Sequence, residues 1–377
     1  MTRCLSGGPE VAIVYKTLPH YRVDFYEGLR ARLAANGLRL RLIVGQPDSE
    51  MAKRNDTARI QWAEGVRNRY VRVGSRHLVW QPALGMVRTS DLVIVEQASK
   101  LLVNYPLLAW RRLGGPKVAW WGHGSNLDTA NASSLGERVK RLLATRADWW
   151  FCYTAGTAGI VHALGVPHER LTVVQNAIDT SQLSSLRALV SEADISEVRV
   201  QLGLGTGPVA LALGSLYPTK RPEFLIEAAD TIRMKAPDFH LIVIGDGPGR
   251  TILDAASSTR PWLHVLGAKM GNELVRIAAA AAIVLNPGLV GLAVLDAFAL
   301  GLPMITCDLP YHSPEFEYLE NGVNGVVLDR QTSPEDFGLA ALELMSDRAV
   351  IESLQAGCRI SAAKITVDQM IERFATG

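Results

Sequence analysis

Asn286-Pro-Gly-Leu-Val-Gly-Leu-Ala-Val-Leu-Asp-Ala-Phe-Ala-Leu-Gly-Leu-Pro-Met-Ile-Thr306 is the stretch whose reading decides the fold. Residues 278–305 are almost wholly apolar and invite assignment as a membrane span. A spanning helix would be broken by Asn286-Pro287-Gly288, and Asp296 would be costly in hydrocarbon. The alternative is the end of a buried strand at 282–285, a Gly/Pro loop, a helix from about Gly291, a stop at Gly301 and a further strand. A helix that follows glycines offers free backbone N–H groups to an anion. Asp296 falls one and a half turns inside that helix.

The same alternation runs through the 377 residues. Strand-like runs occur at 11–15, 38–44, 91–96, 117–121, 148–153 and 171–174, then at 209–213, 240–244, 264–266, 282–285, 303–306 and 325–328. Many are continuous β-branched or aliphatic runs, as strands buried on both faces require. Helical segments between them imply parallel α/β sheets. The stretch 178–209 is polar, carries no strand signal, and ends in Gly203-Leu-Gly-Thr-Gly-Pro208. We therefore expect an α/β protein of two doubly wound, Rossmann-like domains, 1–190 and 191–360, with a terminal helix in 361–377 crossing back to the first. Ligands in such sheets bind beyond the carboxyl ends of the strands, so a cleft between the domains is the expected site.

Residues 1–175 hold 24 Lys/Arg against 13 Asp/Glu, whereas the remainder holds 15 against 24. A basic half facing an anionic partner, such as a phospholipid surface or a lipid-pyrophosphate, is the reading. The basic residues follow no nucleic-acid motif, which argues against nucleic acid. The segment 101–113, ending Leu-Ala-Trp-Arg-Arg-Leu, is amphipathic and a candidate for interfacial membrane contact, although too short to span. Cys4, Cys152, Cys307 and Cys358 show neither metal nor redox spacing, and no metal or cofactor is expected. The start of the chain lacks the apolar core of a secretory signal. Together these suggest a cytoplasmic protein, peripheral on the inner face of the membrane.

Four further segments carry candidate chemistry. Gly214-Ser-Leu-Tyr-Pro-Thr-Lys-Arg-Pro222 leaves the first strand of the second domain, where Lys220 and Arg221 are placed to grip phosphate. Leu241-Ile-Val-Ile-Gly-Asp-Gly-Pro-Gly249 enters a glycine-rich turn, but is neither a dinucleotide fingerprint nor a Walker loop. Trp120-Trp-Gly-His-Gly-Ser-Asn126 ends a strand with His123, a candidate donor to a substrate hydroxyl or developing charge. In Pro19-His-Tyr-Arg22, Tyr21 and Arg22 could meet a sugar or phosphate, or simply start a helix with an exposed arginine.

In their order along the chain these segments resemble retaining GT-B glycosyltransferases of glycosyltransferase family 4. Gln175-Asn-Ala-Ile-Asp179 is similar to that family's Asn-Gly-Val-Asp segment, and Gly214–Arg221 to its phosphate loop. Leu241–Pro248 resembles its Gly-x-Gly-Pro strand end, His264–Gly267 the strand before the base pocket, and Asn321-Gly-Val-Asn-Gly325 its Asp-Gly-x-Asn-Gly turn. Trp121–Gly124 resembles the strand ending in His, and Gly288–Asp296 occupies the place of the Glu-x7-Glu element. Pro19–Arg22 followed by Phe25-Tyr26 resembles the Pro-x-Tyr-Arg start of a subset.

The resemblance implies two domains facing across a cleft. It also implies metal-independent transfer of a sugar, with retention, from a UDP-, GDP- or dTDP-sugar to a glycan, lipid-linked or other glycoconjugate acceptor. Lys220, helped by Arg221, would hold the pyrophosphate, with the N–H groups near Leu292 and Ala293. Ser215 and the backbone of Gly288, Leu289, Val290 and Gly291 would line the donor, and Asp296 would bond the ribose. His123 would lie over the sugar, while Tyr21, Arg22 and Asn126 would face the acceptor or cleft. Gly288 stands where the family has a sugar-binding glutamate, and Ser215 where it has an arginine. These departures motivate a second reading, a nucleotide-sugar-binding protein without transfer, in which Gly288→Glu with Ser215→Arg would restore activity. A nucleotide-sugar epimerase on the same fold is a third.

Overall fold

The computed structural model describes residues 8–48, 57–74, 76–124 and 142–377. It divides into two compact units, one of residues 1–179 with 367–377 and the other of 180–366.

Unit 1 runs β1 (Glu10–Tyr15), α1 (Val23–Ala35), β2 (Arg39–Gly45), β3 (Glu64–Val66), β4 (Arg69–Val73), β5 (Arg76–Trp80) and β6 (Leu92–Glu96). It continues with α2 (Asn104–Arg111), β7 (Lys117–Gly122), β8 (Trp149–Cys152), α3 (Ala155–Ala163) and β9 (Leu171–Val173). Seven strands form one sheet in the order β3-β2-β1-β6-β7-β8-β9, every pair parallel. Successive residues such as Ile13 and Val14, or Ile94 and Val95, are all buried, because helices cover both faces. β4 and β5 form a separate antiparallel hairpin. The sequence pattern does not show it, because Arg69, Arg72 and Arg76 interrupt the apolar run, nor does it show β3, whose residues Glu64-Gly65-Val66 carry one apolar side chain.

Two expectations for this unit need adjusting. Around α2, Leu101, Val103, Leu107 and Leu108 are buried, the last three in the sheet's core. The apolar face expected to meet a membrane is thus spent inside the protein. Residues 180–190, assigned to the first domain from sequence, belong to unit 2. The last helix of the chain, Val367–Thr376, packs within unit 1, where Phe374 stacks on Phe151 with centroids 4.1 Å apart.

Unit 2 begins with α4 (Ser181–Leu189) and α5 (Glu192–Leu202), the latter opened by a Ser191/Asp194 capping box. There follow β10 (Val209–Leu213), α6 (Pro222–Lys235), β11 (His240–Ile244), α7 (Arg250–Ser257), β12 (Leu263–Val265), α8 (Gly271–Ala278), β13 (Ile283–Leu285) and α9 (Ala293–Ala299). β14 (Met304–Cys307), β15 (Gly325–Leu328), α10 (Pro334–Ser346) and α11 (Arg348–Lys364) complete it. Its strands are all parallel, in the order β12-β11-β10-β13-β14-β15. The order reverses between β10 and β13. Such a switch point, beyond the carboxyl ends of the strands, is where ligands of doubly wound sheets bind.

The apolar stretch that opened the sequence reading is β13, a loop, α9 and β14. No helix among the described residues is long and apolar enough to cross a membrane. The helix begins at Ala293 rather than Gly291, because Leu289 and Val290 are held in an irregular loop.

Candidate functional site

The two loops at the switch point of unit 2 are built into one another. The loop after β10 turns through Pro218–Lys220 and enters α6 at Pro222, whose missing N–H costs a helix start nothing. Arg221 takes a left-handed conformation, φ 58°, between the two helical pieces. The loop after β13 lies directly on this turn. Leu289 N–H donates to Thr219 O at 2.8 Å, and Arg221 Nη1 to Pro287 O at 3.3 Å. Lys220 Nζ donates to the buried Asn286 Oδ1 at 3.4 Å.

Gly288 is the tightest point of that contact. A Cβ there would stand 2.5 Å from both Cα and C of Lys220, closer than real atoms approach. The position therefore has no room for any side chain, a glutamate included. The restoring pair expected under the binding-only reading, Gly288→Glu with Ser215→Arg, meets this obstacle at its first position, where the glycine lets two backbones touch.

The turn after β11 presses on the same loop from the other side. Leu216 N–H donates to Asp246 O at 2.8 Å, and a Cβ on Gly247 would lie 2.7 Å from Leu216 O. Glycines in Gly245–Gly249 thus serve to bring backbone against backbone. Asn321-Gly-Val-Asn-Gly325 is also structural. Asn324, fully buried, donates to Tyr318 O and Ser361 Oγ at 2.9 Å and accepts from Glu320 N–H at 2.8 Å.

Electrostatics single out two groups. Lys220 is only partly exposed, and burial lowers its ammonium to a pKa of about 8. Asp296, on the first turn of α9, is raised by burial to about 7. Ser215 is exposed beside Lys220, and both line a small cavity of about 20 Å³ with Asn286 and Pro287. Arg221 is drawn aside, its guanidinium 3.9 Å over the Phe224 ring. Of the loop amides expected to meet a donor, Leu289 and Val290 are already used, by Thr219 O and His312 Nδ1. Those of Gly291, Leu292 and Ala293 carry no hydrogen bond among the described residues.

In unit 1, His123 follows β7, its ring 4.5 Å from that of Tyr153. Burial, then the charge of Arg22, lower its pKa to about 4, so the imidazole is neutral. Among the described residues its Nδ1 is buried without a hydrogen bond, as are Trp121 Nε1, Tyr26 Oη and Arg22 Nε. Arg22 is not the exposed, acceptor-facing arginine expected. It is 2% exposed, donates to Ala177 O and Met370 Sδ through Nη1, and to Asn176 Oδ1 through Nη2. Its guanidinium ties the segment after β9 to the last helix. Tyr21 remains partly exposed, its ring 5.4 Å from that guanidinium. Asn126 lies outside the described residues.

Sequence reading places Gln175 in a motif but gives it no role; it holds φ 58° just after β9, its Oε1 unpartnered among the described residues, whereas His312, which follows β14, was missed altogether. Their places at the carboxyl edges of the sheets were the available signal.

The switch-point loops lie in a segment with recognised kin. Residues 207–347 match the family model described as Glycosyl transferases group 1. Alpha-D-kanosaminyltransferase of Streptomyces kanamyceticus is 24% identical over 283 residues, covering 72% of each chain. The 2-deoxystreptamine glucosyltransferase of the same organism is 27% identical over 180 residues, 44% of this chain and 45% of that one. Anabaena Alr3699/HepE, solved with UDP-glucose, superposes with a TM-score of 0.68 at 17% identity over 97% of this chain and 98% of that one. At that identity the likeness shows the fold, which is GT-B. The group 1 match begins just before β10 and ends just after α10, so it spans every loop of the Lys220 cluster.

Proposed function

We propose that this chain is a retaining glycosyltransferase that moves a sugar from a nucleotide-sugar to a glycan, lipid-linked or other glycoconjugate acceptor. One observation carries the reading. Lys220, a cation pinned by Asn286 at the switch point of the sheet, lies inside the segment that matches group 1 glycosyl transferases.

The chemistry follows from the charge that develops. As the bond from the anomeric carbon to the diphosphate oxygen breaks, negative charge grows on the leaving group. A half-desolvated ammonium stabilises that charge far better than one in water. Ser215 and the open amides of Gly291 to Ala293 add hydrogen bonds, and Asp296 accepts from the ribose. The acceptor oxygen attacks on the face the diphosphate leaves, and its proton passes to the departing phosphate oxygen. Nucleoside diphosphate and a product of unchanged anomeric configuration result. His123, neutral, donates or accepts at a sugar hydroxyl.

HepE's complex with UDP-glucose supports a UDP-sugar donor, with GDP- and dTDP-sugars the alternatives. The basic composition of residues 1–175 supports a neutral or anionic acceptor, presented at an anionic membrane surface on the cytoplasmic side, over a cationic one. The binding-only reading loses its main motive, since Gly288 is explained by packing. The test incubates the protein with each nucleotide-sugar and membrane-extracted acceptors, follows nucleotide release, and determines the product anomer by NMR. Absence of both release and nucleotide-sugar binding would overturn the proposal; an inverted product would overturn the retaining mechanism alone. Co-sedimentation with anionic liposomes that weakens with salt tests the membrane surface.

A further inference from the structure

His312 lies in the loop after β14 and is 7% exposed, its ring stacked on Phe316 with centroids 4.0 Å apart. Val290 N–H donates to its Nδ1 at 2.9 Å, so Nδ1 must carry a lone pair. Nε2 is 2.7 Å from Cys307 O, a contact that requires a proton on Nε2. Leu309 N–H also points at Nε2, at 3.2 Å, a bond that would need Nε2 bare. A neutral ring whose Nδ1 accepts from Val290 keeps its one proton on Nε2, where the shorter contact to Cys307 O uses it. Next to it, Ser313 N–H donates to Val290 O at 2.9 Å, so both polar groups of the Val290 backbone are held. Val290 is itself fully buried. One residue earlier, Leu289 N–H is bonded to Thr219 O beside Lys220.

We infer that His312 is a positioning residue for the donor site: its ring fixes Val290, and so holds the 286–291 loop against the turn that presents Lys220. This rests on the proposed function for its kinetic consequence, although not for its geometry. A lost acceptor at Nδ1 would leave the Val290 N–H buried without a partner, a loss the loop relieves only by moving. Movement of that loop frees Thr219 O and displaces Asn286, the partner of Lys220 Nζ. Displacements of about 1 Å in such groups are enough to cost rate and affinity.

Two substitutions separate the ring's two bonds. In His312→Asn the side-chain oxygen can stand where Nδ1 stands and still accept from Val290. In His312→Gln the longer amide reaches the place of Nε2 and can donate to Cys307 O, leaving Val290 unpartnered. The expected result is a donor KM within about threefold of the parent for Asn, a rise of about tenfold for Gln and for Ala, and an acceptor KM unchanged in all three. Amide hydrogen exchange at Val290 should follow the same order, slow in the parent and Asn, fast in Gln and Ala. In the unsubstituted protein, NMR should detect a through-hydrogen-bond coupling between Val290 N and His312 Nδ1. The inference is overturned by equal behaviour of Asn and Gln, by donor and acceptor KM rising together, or by absence of that coupling. If the protein turns over no nucleotide-sugar, the functional reading fails, and the exchange order with the coupling still decides the role of His312.

Discussion

Gly288 and Lys220 are in backbone contact: a Cβ on the first would fall 2.5 Å from Cα of the second. The turn that carries Lys220 and the loop after β13 are thus packed as one unit. Gly288→Ala should shift the 218–221 turn, cost about 1–3 kcal/mol in urea denaturation, and lower kcat/KM with it. Gly288→Glu should be at least as damaging, alone or with Ser215→Arg. Recovered or improved activity in either would show that the loops can separate.

Lys220→Ala should lower kcat/KM by about 10²- to 10³-fold through lost stabilisation of the leaving group. Burial holds this lysine at about 8, so the free protein loses its charge as pH rises through that value. Donor affinity in titration calorimetry should therefore weaken above pH 8. A bound diphosphate should raise the lysine's pKa in return, seen as proton uptake on binding there.

Asp296 carries the opposite perturbation, raised from 3.8 to about 7 by burial. Between those values the folded chain keeps a proton that the unfolded chain has lost, so this group makes stability fall as pH rises through the window. Asp296→Asn should leave stability unchanged near pH 4 and raise it at pH 8, in denaturation curves run at both. The same substitution should weaken donor binding at pH 8, where the carboxylate is ionised.

His123 titrates near 4 and is neutral at assay pH. The kcat/KM profile should show no limb near 6.5 that His123→Ala removes. That variant should lose about 10²-fold in kcat with donor affinity nearly intact. Lost donor affinity without lost turnover would make the histidine a packing residue.

Arg22→Lys keeps the charge but not the fork that reaches Asn176 and Ala177, and so should cost about 2–4 kcal/mol of stability. Its effect on kcat/KM should be explained by the fraction folded, measured by circular dichroism at the assay temperature.

Local pattern carried much of the architecture. Runs such as Val209–Leu213 and His240–Ile244 are strands at the predicted residues because continuous aliphatic sequence bounded by turns has few other uses. The β4–β5 hairpin escaped for the converse reason. Its pairing of Arg69 with Trp80 and Arg72 with His77 is held by cross-strand geometry, and no apolar period announces it.

The sequence by itself determined the α/β alternation, the place of Lys220 and Asp296 at the carboxyl edge of a strand, and the rejection of a membrane span. These depend on properties of a few adjacent residues. Tertiary structure decided what Gly288, Arg22 and His312 do. Gly288 meets a turn nearly 70 residues away, Arg22 bonds Asn176 and Met370, and His312 accepts from Val290 across 22 residues. Each role depends on a partner brought close by sheet order, and neither residue type nor spacing records which partner that is.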